Sequence, residues 1–220
     1  MSQQGTFQRA YSRQHKEQRA TDLVKAARTL AARDGVRAVT LTAIATQAGV
    51  HVSAVRRYFD SREEILLGLA EAGYAEWTHA LIDRVHGHEG LTSADLARAI
   101  TETLAERPLF CDLLTHVTLN LEREVTYERV RAFKFTVGAA LAPLTEAITR
   151  ASALTAEQAN DLIIAVISMT APLWQAAHPA ETLTRLYAEE PSLTHIGIDF
   201  SPTLIRLLTA LCDGMTRGHR

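Results

Sequence analysis

Apolar residues recur along this chain at spacings of three and four, and nowhere in a sustained alternation. The pattern therefore predicts helices and no sheet. Leu23, Ala27, Leu30 and Ala31 give a first helix, Lys16–Arg33, one apolar face, with Gly35 just beyond its end. Thr40 is placed to cap a short second helix that ends near Ala48, where Gly49 breaks it. A third short helix covers Val52–Phe59. Asp60 or Ser61 caps a fourth, with Glu63 and Glu64 in the first turn, where the helix dipole favours acids. It runs to about His86. Further helices are expected over Ser93–Ala105, from Pro108 to about Asn120, and over Tyr127–Arg150 with a kink at Pro143. Thr155 and Gln158 make a capping box for a helix to about Gln175, a short helix covers Ala180–Glu189, and Pro191 to Asp199 read as a loop. In the last helix, from Ser201-Pro202, the residues Leu204, Ile205, Leu207, Leu208, Leu211, Cys212 and Met215 form one continuous stripe.

Composition narrows the class. The 220 residues are 47% apolar, ample for a buried core, while 11 glycines and 6 prolines are too few for a low-complexity chain. Two cysteines, Cys111 and Cys212, cannot build a disulfide framework or a cysteine zinc site, and fit a reducing compartment. The N-terminus is polar and lacks a signal-peptide core. Leu162 to Ala180 has no charged residue, but its dense apolar part stops at Trp174, too short to span a bilayer. A cytoplasmic protein is expected. Charge is uneven: residues 1–67 carry 11 Lys/Arg against 6 Asp/Glu, and residues 68–220 carry 12 against 19. A basic N-terminal third suggests an anionic partner for that part alone.

The chemistry concentrates in residues 40–67. Two short helices flank a tight turn at Ala48-Gly49-Val50, and Leu41, Ile44, Ala45, Val50, Val55 and Phe59 are spaced to share one buried face. That arrangement is a helix-turn-helix, whose second helix enters a major groove. His51, Val52, Ser53, Arg56 and Arg57 then face outward. Adjacent arginines suit guanine edges and phosphates. The alternative is a helical hairpin with a solvated basic face, in a small all-helical enzyme or ligand carrier. Such a protein has no need of Arg56 and Arg57 outside an apolar hairpin.

The same segment resembles the DNA-binding domain of the TetR family of transcriptional regulators. The matching residues are Thr40-Leu41, Ile44-Ala45, Ala48-Gly49-Val50, Tyr58-Phe59 and Ser61-Arg62-Glu63-Glu64-Ile65-Leu66. The stretch from Arg107-Pro108-Leu109-Phe110 to Ala132-Phe133-Lys134 resembles one subtype of second domain in such regulators. The resemblance implies a homodimer on a near-palindromic double-stranded DNA operator, released when a small-molecule effector enters the second domain. It implies DNA contacts from Thr40, Thr42, Tyr58 and Arg62, with positions 52–57 facing bases. Three residues depart from the pattern. His51 stands where Ser or Thr is usual, leaving the hydroxyl cap and its phosphate contact without their usual residue. Ser53 stands where Gly or Pro is frequent, and Arg56 where Tyr is common.

The expected architecture is all-α: residues 1–15 a flexible basic arm with Arg9 and Arg13, 16–67 a three-helix helix-turn-helix DNA-binding domain, and 68–220 a larger helical domain for effector binding and dimerisation. Trp77, Phe110, His116, Asn120, Phe133, Met169 and Trp174 are the candidate effector-site residues, since an apolar cavity with a few polar groups suits a small molecule. Ile163, Val166, Ile167, Leu204, Leu207, Leu208 and Leu211 are the candidate dimer interface, two apolar helices packing on their symmetry mates. His79, His86 and His88 lack metal-ligand spacing. No nucleophile or phosphate-loop motif occurs, so no catalytic residue, cofactor or metal is assigned, and the expected function is a ligand-responsive regulator, not an enzyme.

Overall fold

The computed structural model describes residues 3–196 and 198–217, with side chains for 16–193 and 198–217. Ten α-helices carry the described fold: α1 (Gln3–Asp34), α2 (Leu41–Gln47), α3 (Val52–Val55), α4 (Arg62–Val85), α5 (Ser93–Ala105), α6 (Pro108–His116), α7 (Tyr127–Ala151), α8 (Ala156–Ala177), α9 (Glu181–Glu189) and α10 (Phe200–Arg217). A 3₁₀ turn covers Val36–Ala38, a π-helical turn Val117–Leu121, and a second 3₁₀ stretch Pro191–Ile196. Among the described residues there is no strand, only an isolated bridge between Leu91 and Ser152. No single described helix is long and apolar enough to cross a membrane.

Local chemistry sets most boundaries. Thr40, Ser61, Thr92, Thr126 and Thr155 each accept a hydrogen bond from the backbone three residues on, satisfying a donor that would otherwise be orphaned at a helix start. Thr155 and Gln158 close the expected capping box. α7 and α8 continue through Pro143 and Pro172.

Three expectations are corrected. The first helix begins at Gln3, not near Lys16, so the backbone of the supposed arm is helical from Gln3. That stretch has no proline and is rich in Gln, with Arg9 and Arg13, residues that favour helix. The side chains of Arg9 and Arg13 lie outside the described residues. The third helix holds α geometry only to Val55, and the amides of Arg57 and Tyr58 then bond three residues back, to Ala54 and Val55, as a tightened last turn. Pro191 to Asp199 is not all loop, since Pro191–Ile196 is 3₁₀.

One buried apolar cluster runs from Leu23 in α1 to Cys212 in α10. α4 links its two ends. Arg28 of α1 donates to Glu76 of α4 at 2.7 Å, and Arg129 of α7 donates to Glu71 of α4 at 2.8 Å. α4 packs most heavily on α7, and α5 on α10. Burial pushes the Cys111 thiol up to about 12 and the Cys212 thiol up to about 11, so both stay protonated and act as small core side chains.

Candidate nucleic-acid interface

The helix-turn-helix is built by its caps. The Ala43 amide donates to Thr40 Oγ1 at 3.0 Å and opens α2. At the far end the Val50 amide reaches Ala45 O at 2.9 Å, and the Gly49 amide reaches Thr46 O at 3.1 Å. This pair of bonds closes the helix around a left-handed residue, and Gly49, at φ 66°, adopts it without a Cβ penalty. The chain then reverses into α3. His51 takes over the cap: its Nδ1 accepts from the Ser53 amide at 3.3 Å and lies 2.9 Å from Ser53 Oγ. The cap that the departure from Ser or Thr had put in question is therefore made by imidazole, with Ser53 held beside it.

Ile44, Ala45 and Val55 are buried beneath this unit, while Thr40, Thr42, His51, Ser53, Arg56 and Arg57 are exposed and Val52 and Tyr58 half-buried. Arg56 and Arg57 enter no ion pair among the described residues, so two uncompensated guanidiniums stand where the second helix would meet a groove. Beside them a cleft of ≈ 570 Å³ separates α1 from the second helix, with Arg19 and Lys25 on one wall and Arg57 and Tyr58 on the other. Together these residues line a face of mainly positive charge, suited to phosphate.

Arg62 does not belong to that free set. Its Nη1 donates to Val39 O at 3.0 Å and its Nε lies 2.7 Å from Glu63 Oε1. The guanidinium thus ties the start of α4 to the chain entering α2 and is half-exposed, a packing role that stands beside the expected phosphate contact.

The effector-site candidates divide. Trp77, Phe110 and Phe133 are buried together, with Tyr74, which the sequence reading missed, at their centre. Its ring lies 5.0 Å from Phe110 and 6.4 Å from Phe133, and Trp77 lies 6.0 Å from Phe110. Tyr74 falls on the same helical face as Trp77 and Leu81, a spacing that could have found it. Burial raises its phenol, helped by the charge of Glu122. The Trp77 indole N–H is buried with no acceptor among the described residues. Trp174 is not part of this cluster. It stacks on His178 at 3.9 Å and meets Phe200 at 5.1 Å, beside a cleft of ≈ 290 Å³ between α1, α6 and α8. Met169 is half-buried on α8.

His116 ends α6 and Asn120 lies in the π-helical turn after it, within reach of the charges of Arg62 and Arg37. His116 lies 3.9 Å from Asp112, and burial lowers its pKa. Arg62 and Arg37 lower it further, while Asp112 and Asn120 pull the other way.

The dimer candidates also divide. Ile163, Val166, Leu204 and Leu208 are buried within the single chain, where α8 and α10 pack on each other and α10 packs on α5. They fill the protomer core. Leu207 remains exposed, Ile167 and Leu211 half-buried, and Ile164, which was not singled out, is 62% exposed.

Two family models match the chain. That of bacterial regulatory proteins of the tetR family matches residues 23–69, and that of the tetracyclin repressor-like C-terminal domain matches residues 71–219. No curated protein matches. Among solved structures, the chain is similar to a fatty acid degradation regulator FadR from Bacillus halodurans, at 13% identity and TM-score 0.53, over 86% of this chain and 94% of that one. It is similar to a possible TetR family regulator from Streptomyces coelicolor, at 18% identity and TM-score 0.53, over 91% and 100%. A FadR repressor from Thermus thermophilus, in complex with lauroyl-CoA, aligns at 22% identity and TM-score 0.48, over 86% and 92%. At these identities the first two likenesses are of fold alone.

Proposed function

The chain belongs to the tetR family of bacterial regulatory proteins and is a DNA-binding transcriptional regulator; on that premise we propose that it is a cytoplasmic repressor, released from a palindromic operator when a small molecule enters its second domain. The observation that carries the reading is the pair of unpaired, exposed guanidiniums of Arg56 and Arg57 on a helix-turn-helix whose caps are all satisfied. Thr40, Thr42, His51, Val52, Ser53 and Tyr58 complete the proposed DNA-contacting surface. Residues 16–67 form the reading unit and 68–220 the effector and dimerisation unit.

The protein works as a two-fold dimer. Its seam is the outward face of α8 and α10, with Ile164, Ile167, Leu207 and Leu211. Such a dimer sets two recognition helices about 34–36 Å apart, on successive major grooves. The effector site lies near Trp77, because a buried indole N–H without an acceptor costs about 1–3 kcal/mol, which an acceptor on a bound molecule relieves. The ligand acts only through its different affinity for the operator-competent and operator-incompetent dimers.

A mobility-shift titration of the Arg56→Ala/Arg57→Ala double variant tests the reading. Each guanidinium in a bidentate base contact contributes about 1–3 kcal/mol, so the double variant is expected to lose at least tenfold in affinity. Operator affinity unchanged from wild type would refute it. For the effector, reciprocity applies: a molecule that releases DNA must bind more weakly to the DNA-bound protein.

A further inference from the structure

α9 has no buried residue. Leu183 and Leu186 are 44% and 39% exposed, and with half-buried Tyr187 they lie at helical spacings of three and four, one stripe on one face. A helix of nine residues is marginal in water without a packed apolar face. Within the chain its main neighbour is the 3₁₀ stretch Pro191–Ile196 that follows it.

A second uncovered surface lies on α7. Phe135 is 66% exposed and Tyr127 72%, and the Arg131 guanidinium rests over the Phe135 ring at 4.7 Å. Beyond Phe135 the same face continues with exposed Gly138, Ala139 and Ala142, small residues that let another helix approach closely. Among the described residues, nothing covers either face within one copy.

The two faces are complementary. On α9 Arg185 and Glu189 pair with each other at 2.7 Å, which leaves Glu181 and Glu190 without an ion pair among the described residues; on α7 Arg129 and Lys134 are already paired with Glu71 and Glu122, which leaves Arg131 beside Phe135. Arg131 has no ion pair among the described residues. Lengths are compatible as well: the nine residues of α9 span about 13.5 Å and the twelve of α7 from Arg131 to Ala142 about 18 Å, at about 1.5 Å per residue. α9 also leaves α8 at 61°, from the end of the helix proposed to line the two-fold axis, which carries it away from its own α8.

We propose that α9 of each copy crosses to the second copy and packs along its α7, with Leu183 and Leu186 against Phe135 and the small residues beyond it, and the α9 carboxylates beside Arg131. This rests on the dimer proposed above and adds to it a pair of reciprocal arms outside the α8–α10 seam.

The test uses the full chain with Phe135→Cys and Leu186→Cys together. The native cysteines, Cys111 and Cys212, are buried and protonated, and do not compete. Mild oxidation is expected to give a covalent dimer on a non-reducing denaturing gel. An intrachain disulfide, or no disulfide in a sample that sediments as a dimer, overturns the arm exchange and leaves the dimer standing. A monomer by sedimentation overturns both. Hydrogen exchange provides a second readout that does not depend on disulfide geometry. α9 amides are expected to exchange about tenfold faster in a Phe135→Glu variant that remains dimeric than in wild type. Equal exchange in the two proteins overturns the proposal.

Discussion

The Asp112 carboxylate accepts a hydrogen bond from the Val36 amide at 2.9 Å, across 76 residues of sequence. Its other oxygen accepts from Gln175 Nε2 at 2.9 Å, and the same amide reaches Thr115 Oγ1 at 3.2 Å. One carboxylate thus joins the turn that leads into the helix-turn-helix to α8, the helix proposed for the dimer seam. Its position makes α6 a direct connection between the DNA-reading end and the second domain.

Asp112→Ala is therefore expected to cost about 1.5–3 kcal/mol of stability, because it removes a charged acceptor and strands the Val36 amide. Gln175→Ala is expected to cost about 1 kcal/mol or less, since Val36 keeps its partner. Urea denaturation of the two variants checks the order. Equal losses would mean that the Val36 bond is not the one that matters.

Gly73 on α4 lies flat against Phe110 of α6. A Cβ there would collide with Phe110 Cδ2 and meet Cγ at 3.0 Å. Phe110 is buried against Tyr74 and Trp77 and has little room to move. Gly73→Ala is expected to destabilise by about 1–3 kcal/mol through overpacking. Adding Phe110→Leu should restore part of the loss. Thermal melts of the single and double variants read this directly, and a single variant that melts with wild type would contradict the packing described.

Arg62 and the Arg56–Arg57 pair should separate by experiment. Arg62→Ala leaves the Val39 carbonyl without its donor and is expected to lower stability by about 1–3 kcal/mol. Arg56→Ala/Arg57→Ala removes exposed groups and should leave the melting temperature within about a degree or two while weakening operator binding. Melting curves beside mobility shifts distinguish the two roles. The assignment fails if Arg62→Ala melts like wild type and loses only affinity.

His116 should make stability depend on pH. Its pKa in the folded protein lies below the ordinary 6.5, chiefly through burial. The unfolded chain therefore binds the proton more readily, and stability rises with pH across the interval from the folded value to 6.5. Acidification below about 6.5 is expected to cost wild type more than a His116→Gln variant. Denaturation midpoints between about pH 7 and about pH 5 give the comparison. Parallel pH profiles for the two proteins would refute it.

Much of the molecule was legible in the sequence because its determinants are local. Thr40, Ser61 and Thr155 with Gln158 stop and start helices through hydrogen bonds that reach three residues, so a reader of the chain can place them. Gly49 marks its turn because it takes a positive φ that side chains rarely adopt. The all-α class and the helix-turn-helix follow from such signals, with the family resemblance drawn on the same residues.

Other features depend on partners distant in sequence. Arg62 reads as a free cation, yet its acceptor is Val39, 23 residues back. Trp174 and Trp77 look alike in composition, but chain topology puts one beside His178 and Phe200 and the other beside Phe110. The stripes on α8 and α10 announced an apolar face without naming what covers it. Periodicity fixes which side chains point together, and tertiary packing assigns that face between core and surface: Leu204 and Leu208 went to the protomer core, while Leu207 stayed outside. The sequence determined where helices begin and which residues share a side. Only the three-dimensional fold decided which charges are spent and which apolar faces remain open, because those outcomes depend on distances between residues that the chain order does not contain.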